Sequence, residues 1–116
     1  MTVNDIKELL NANVLCCEDY LSNVVHTACG SDMMSDVLAF VKDQSVLITG
    51  LCNPQVIRTA EMMDITCIVF VRGKIPDSTT IDLAIERNIP VLSTSRKMFE
   101  ACGILYSKGL SGGKEN

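Results

Sequence analysis

Few residues of this chain could do chemistry, and their spacing narrows the choice further. Cys52 stands in the stretch Thr49-Gly50-Leu51-Cys52-Asn53-Pro54, just ahead of a helical pattern. The positive end of a helix dipole at that place would lower a thiol's pKa and favour a thiolate nucleophile. Such a nucleophile needs a general base, and the sole histidine, His26, lies far from Cys52 along the chain. Asp32 and Asp36 are one helical turn apart and could share acid and base roles. As first-turn carboxylates they read better as partners of a helix dipole. None of the six cysteines (Cys16, Cys17, Cys29, Cys52, Cys67, Cys102) falls in a C-x-x-C pair, and one imidazole is too few for a usual zinc set, so no metal site is expected. No G-x-x-x-x-G-K-[ST] loop occurs, which removes the P-loop route to phosphoryl transfer. The inventory points to a binding protein without a cofactor, with a Cys52-dependent enzyme as the weaker alternative.

Composition narrows the partners. A chain of 116 residues with 47% hydrophobic content can bury one core without staples. Its net charge of -4 and pI near 4.8 speak against nucleic acid, because phosphate-backbone binding needs a clustered basic surface. Arg72, Lys74, Arg96 and Lys97 are too few for that role. No apolar run approaches the roughly 20 residues that span a bilayer, so no membrane partner is expected. The opening Met1-Thr2-Val3-Asn4-Asp5 lacks the basic start of a signal peptide. A cytoplasmic location follows, in which the thiols stay reduced, most of them as small apolar core residues.

The elements that must position these residues are legible from hydrophobic period. Val3, Ile6, Leu9 and Leu10 recur at helical spacing behind a Thr2 cap. Val14–Cys17 and Val24–Cys29 read as short strands. Gly30-Ser31-Asp32 precedes the stripe Met34, Val37, Leu38, Val41, with Ser31 or Asp32 as cap. Ser45–Thr49 and Cys67–Val71 are continuously apolar or small, as strands covered on both faces require. Between them Asn53 and Pro54 are a favoured cap and first residue for a helix carrying Val56, Ile57, Ala60 and Met63. Asp77 or Ser78 opens a helix burying Ile81, Ala84 and Ile85, and Asn88 ends it. Pro90–Ser93 is a third covered strand, and Ser93-Thr94-Ser95 caps a last helix with Met98, Cys102 and Leu105. Alternation of strand and helix predicts an α/β fold in three layers, a mainly parallel sheet with helices on both faces.

The stretches Ala28-Cys29-Gly30-Ser31-Asp32, Ser35-Asp36-Val37-Leu38-Ala39, Leu47-Ile48-Thr49-Gly50, Asn53-Pro54-Gln55, Arg58-Thr59-Ala60 and Ile68-Val69-Phe70-Val71-Arg72-Gly73 carry a resemblance. From about Val3 to Leu110 the chain resembles a stand-alone DRTGG domain, and it is also similar to the N-terminal domain of bacterial HPr kinase/phosphorylase. That resemblance implies an α/β regulatory or ligand-sensing module of the kind fused to CBS domains and enzymes, and it brings no agreed active site. The Asp-Arg-Thr-Gly-Gly string itself is absent; Thr49-Gly50 stands where Thr-Gly-Gly is expected, with Leu51 in place of the second glycine. One domain over residues 1–110 and a flexible tail over residues 111–116 are expected.

In a parallel sheet the carboxyl ends of the strands share one rim, where ligands bind by default. That rim is expected to gather Thr49, Gly50 and Asn53, then Arg72 and Gly73, then Ser93, Thr94 and Ser95. Gly30, Ser31 and Asp32 join them if their strand is parallel too. Free N–H groups at helix starts beside Arg72 suit a small anionic metabolite or a nucleotide. The same residue types also serve as caps and turns. The expected role is a non-catalytic sensor acting on a partner enzyme, as a homodimer. A structural interaction module that uses Met33 and Met62, the methionines left outside the core stripes, is the competing expectation.

Overall fold

Ser45–Thr49 is buried at every position, as its unbroken run of apolar and small residues requires, and the fold grows outward from it. The computed structural model describes residues 1–113. In chain order the elements are α1 (Val3–Leu9), β1 (Asn13–Cys16), a 3-10 turn (Glu18–Tyr20), β2 (Thr27–Gly30), α2 (Met34–Phe40), β3 (Ser45–Thr49), α3 (Pro54–Met62), β4 (Cys67–Phe70), α4 (Ser78–Glu86), β5 (Val91–Ser93) and α5 (Met98–Ser107). They build one sheet in the order β1-β5-β4-β3-β2, with β2 to β5 parallel and β1 antiparallel on the β5 edge. The α/β architecture in three layers is the one its sequence predicts.

Strand side chains alternate between two cores. Val46, Ile48, Val69 and Leu92 face α1 and α5 through Val3, Ile6, Ala101 and Leu105. Leu47, Ile68, Phe70 and Val91 face α2, α3 and α4 through Val37, Val56, Ile57, Ala60 and Ala84. Most of these side chains are fully buried, each contributing roughly 1.5–3 kcal/mol relative to exposure. From β2 to β5 every crossover steps to the adjacent strand in one direction, so right-handed connections place α2, α3 and α4 side by side on one face.

Helix ends follow their sequence signals where side chains can reach. Thr2 and Asp5 form a reciprocal capping box on α1, the Thr2 N–H donating to Asp5 at 2.8 Å. Asn53 accepts from the Val56 N–H, with Pro54 at the first helical position of α3. Asp77 accepts the Thr80 N–H at 2.9 Å, a bond that holds its carboxyl below the usual range. At the other ends, α1, α3, α4 and α5 close on a left-handed residue: Asn11, Asp64, Asn88 and Gly109. The next residue, Ala12, Ile65, Ile89 or Leu110, is buried and returns its N–H to a carbonyl five residues back.

Several expectations change. Neither Ser31 nor Asp32 caps α2, whose N-cap is Met33 without a side-chain bond; the Ser31 Oγ instead accepts the Met33 N–H at 3.0 Å. The Ser93-Thr94-Ser95 segment does not cap α5 either, since Lys97 holds that position. Ser93 and Thr94 are pulled inside, because a three-residue β5 is followed by backbone that must turn under the α1–β1 connection. Leu38 and Ile85 lie outside the core, 42% and 50% exposed, and Thr80 takes the buried place on α4. β2 begins at Thr27; Val24 pairs separately, in an antiparallel bridge to Thr2.

At the far edge of the sheet Ser111 bridges to Thr27, and its carbonyl accepts the Ala28 N–H at 2.9 Å. The tail expected from Ser111 therefore starts as a partner of β2, because an edge strand leaves outward N–H groups to satisfy; Lys114–Asn116 lie outside the described residues. The Met1 carbonyl accepts the Val25 N–H at 2.7 Å, and Met1, Gly109 and Leu110 line one hollow beside His26.

Candidate functional site

Parallel pairing of β2, β3, β4 and β5 brings Gly30-Ser31-Asp32, Thr49 to Asn53, Arg72-Gly73 and Ser93-Thr94-Ser95 to one rim. The condition for Gly30, Ser31 and Asp32 to join is met by the β2–β3 register, Gly30 opposite Ile48. Antiparallel β1 starts at the same rim, with Asn13 opposite Ser93. Asn11 follows the Leu10 carbonyl to which Thr94 donates. Neither asparagine was legible as a rim residue, because only the reversed direction of β1 puts them there.

The centre of the rim is a contact between the first two loops. One Asp32 carboxylate oxygen accepts the Gly50 N–H at 2.7 Å and the Thr49 hydroxyl at 3.1 Å. The Thr49 Oγ1 in turn accepts the Leu51 N–H at 3.1 Å, which fixes the turn out of β3. Asp32 thus serves neither as a cap nor as half of an acid–base pair with Asp36. It occupies a backbone donor of the kind an anion would seek.

Arg72 lies across this contact. Its backbone is left-handed, φ 59°, as is that of Gly73, φ 68°. The Arg72 N–H donates to the Arg96 carbonyl and the Gly73 N–H to the Thr94 carbonyl, both at 2.8 Å, so the β4 and β5 loops hold each other. The guanidinium rests against the Gly50 α-carbon: a β-carbon there would come 2.5 Å from a guanidinium nitrogen. Glycine at position 50 therefore permits the close approach of a cation, which a β-carbon would push aside. Leu51 has no positive φ and packs with Cys52 against the α2–α4 core, so its side chain leaves the rim free.

Other rim residues hold the scaffold. The Ser93 hydroxyl donates to the Lys74 carbonyl at 2.8 Å and the Thr94 hydroxyl to the Leu10 carbonyl at 2.7 Å, and both side chains are buried. Asn53 spends its carbonyl on the α3 cap. Exposed and able to meet a solute are Gly30, Asp32, Arg72, Gly73 and Ser95, together with the neighbouring cations Lys74, Arg96 and Lys97. Those three cations stand beside turn residues in the sequence, the one signal that could have marked them.

Burial pushes the Cys52 thiol above its ordinary pKa; Lys74 and Arg72 pull it down, Asp32 raises it, and burial prevails. The expected thiolate-favouring shift is thus reversed, because desolvation outweighs the cations and helix end. All six cysteines are free thiols, Cys16 and Cys67 buried and the others half-buried. Among the described residues no three His, Cys, Asp or Glu side chains cluster as a metal set. His26 is exposed at the foot of β2, away from Cys52.

A family model, described as the DRTGG domain, matches residues 5–107. The chain belongs to the DRTGG domain family. Among solved structures this DRTGG domain is similar, with a TM-score of 0.73 over 90% of its length, to the CBS and DRTGG domains of the regulatory region of Clostridium perfringens pyrophosphatase. That protein was crystallised with its activator, diadenosine tetraphosphate. At 18% identity the likeness is one of fold, and the DRTGG domain described above spans 45% of that chain. Comparison with curated proteins gives no match. Membership of the DRTGG family and an α/β fold, as its sequence suggests, are what these relationships show; no described helix is long and apolar enough to cross a membrane.

Proposed function

We propose that this DRTGG domain is a non-catalytic sensor that binds a small anionic metabolite or a nucleotide at the carboxyl rim and acts on a partner enzyme. The observation that carries this reading is the Arg72 guanidinium lying over Gly50, with Lys74 close by, where the parallel strands end. Free guanidinium donors and rim backbone amides are suited to carboxylate or phosphate oxygens. An incoming anion has to compete with the Asp32 carboxylate for the Gly50 N–H. The relative with a nucleotide activator makes nucleotides the first class to try. Calorimetric titration with AMP, ADP, diadenosine tetraphosphate, inorganic phosphate and citrate is the test. Saturable binding that Arg72→Ala abolishes supports the reading, and absence of binding across the panel ends it.

A second reading is a homodimeric interaction module without ligand. Met33 and Met62 are 60% and 73% exposed, as that reading requires. They sit at opposite ends of the α2–α4 layer, Met33 ahead of α2 at the carboxyl rim and Met62 at the end of α3, so two separate contacts would be involved. Loss of self-association in Met33→Ser or Met62→Ser, at unchanged folding, would favour it. The Cys52-enzyme alternative loses its support with the raised thiol pKa; slow alkylation of Cys52 near neutral pH is the matching expectation.

A further inference from the structure

The opposite rim, where α3 and α4 end, carries a polar groove of about 520 Å³, a volume within the range of small-ligand sites. Gln44, Asp64 and Asn88 stand along it, and all three are left-handed, at φ 47°, 53° and 57°. Left-handed polar residues close helices away from the groove too, as Asn11 does at α1, so it is the side chains here, and not the backbone, that mark the groove.

The electrostatics of the groove set the class of ligand. Glu61 is paired with Arg87 at 2.6 Å, so these two charges offset each other. Asp64 has no ion-pair partner among the described residues. The carboxyl-terminal ends of α3 and α4 both point into this region and add partial negative charge. Ala60, Ile65 and Ile89 supply an apolar floor, and the amides of Asn23 and Asn88 border it. We infer that this groove binds a small organic cation, an amine or guanidine on a short aliphatic stem, with Asp64 facing the charge and the floor receiving the stem. The site is independent of the carboxyl rim and of any anion bound there.

The test is amide chemical-shift mapping of the whole chain titrated with putrescine, against sodium chloride at matched ionic strength. Shifts are expected at Asn23, Thr66 and Asn88. Asp64→Asn keeps a residue that tolerates the left-handed backbone and should weaken the response about five-fold, the scale of one exposed charge contact. Arg87→Gln should strengthen it by releasing Glu61, a change of opposite sign to that of any merely structural loss. No shift in the groove, shifts confined to the carboxyl rim, an Asp64→Asn affinity equal to wild type, or a weakened Arg87→Gln response would each overturn the inference.

Discussion

Asp32→Ala separates a resident competitor from a simple staple. In the native rim one Asp32 oxygen receives the Gly50 N–H at 2.7 Å and the Thr49 hydroxyl at 3.1 Å. Removing it leaves the Gly50 N–H to water, which can reach that half-exposed residue, and the hydroxyl of buried Thr49 without this acceptor. A charged hydrogen bond contributes about 1.5–3 kcal/mol when well shielded, so at this exposed position the loss should be about 1–1.5 kcal/mol. With an unfolding entropy of about 2.1 cal/mol/K per residue, such a loss over this chain lowers Tm by roughly 4–6 °C. Anion affinity should move the other way. Clearing the Gly50 N–H and deleting a negative charge beside Arg72 should strengthen binding of ADP or phosphate about ten-fold, some 1.4 kcal/mol. Calorimetry on wild type and variant, with Tm from circular dichroism, reads both effects. A destabilised variant whose affinity is equal or weaker would refute the competition and leave Asp32 as a staple. Failure of both proteins to bind would remove the anion site itself.

Three more outcomes can be checked. Gly50→Ala places a β-carbon against the Arg72 guanidinium, whose flexible side chain can move aside, so stability should fall by less than about 1 kcal/mol while anion affinity falls about ten-fold in the same calorimetric assay. Gln44→Gly relieves a left-handed non-glycine residue and should raise Tm by about 4 °C, roughly 1 kcal/mol, in a thermal melt. Burial raises the thiols of Cys16, Cys29, Cys52, Cys67 and Cys102, that of Cys16 to about 12. Thiols that ionise more easily unfolded than folded give stability that is complete below the unfolded pKa, about 8.5, and lost as pH climbs towards the folded value. Melts between neutral pH and about pH 11 should therefore show Tm falling on the alkaline side, less steeply in Cys16→Ala.

The fold was legible because its signals are local and agree with one another. Continuous apolar runs at Val46–Ile48 and Cys67–Val71 could only be covered strands, and Asn53-Pro54 could only open a helix. Misreadings arose where the decision was tertiary. Asp32 looks like a cap until the neighbouring loop offers it a better donor in Gly50, and Thr94 looks like a cap until α1 ends above it. The rim as a place was foreseeable from strand direction alone. Which of its residues face solvent was not, because burial of Ser93 and Thr94 depends on the β4 and β5 loops bonding each other. The pull of burial on Cys52 was hidden for the same reason: a helix start is visible in sequence, and the Leu51–Cys52 packing against α2–α4 is not.

Met1 and Leu110 meet around a single corner beside His26. A glycine-serine bridge that starts after Ser111 and so keeps its bond to β2 could therefore lead back to Met1, and new termini could be opened at exposed Asp43, between α2 and β3. The same proximity suits the domain to insertion within a longer polypeptide, since host segments entering and leaving at one corner need not be pried apart.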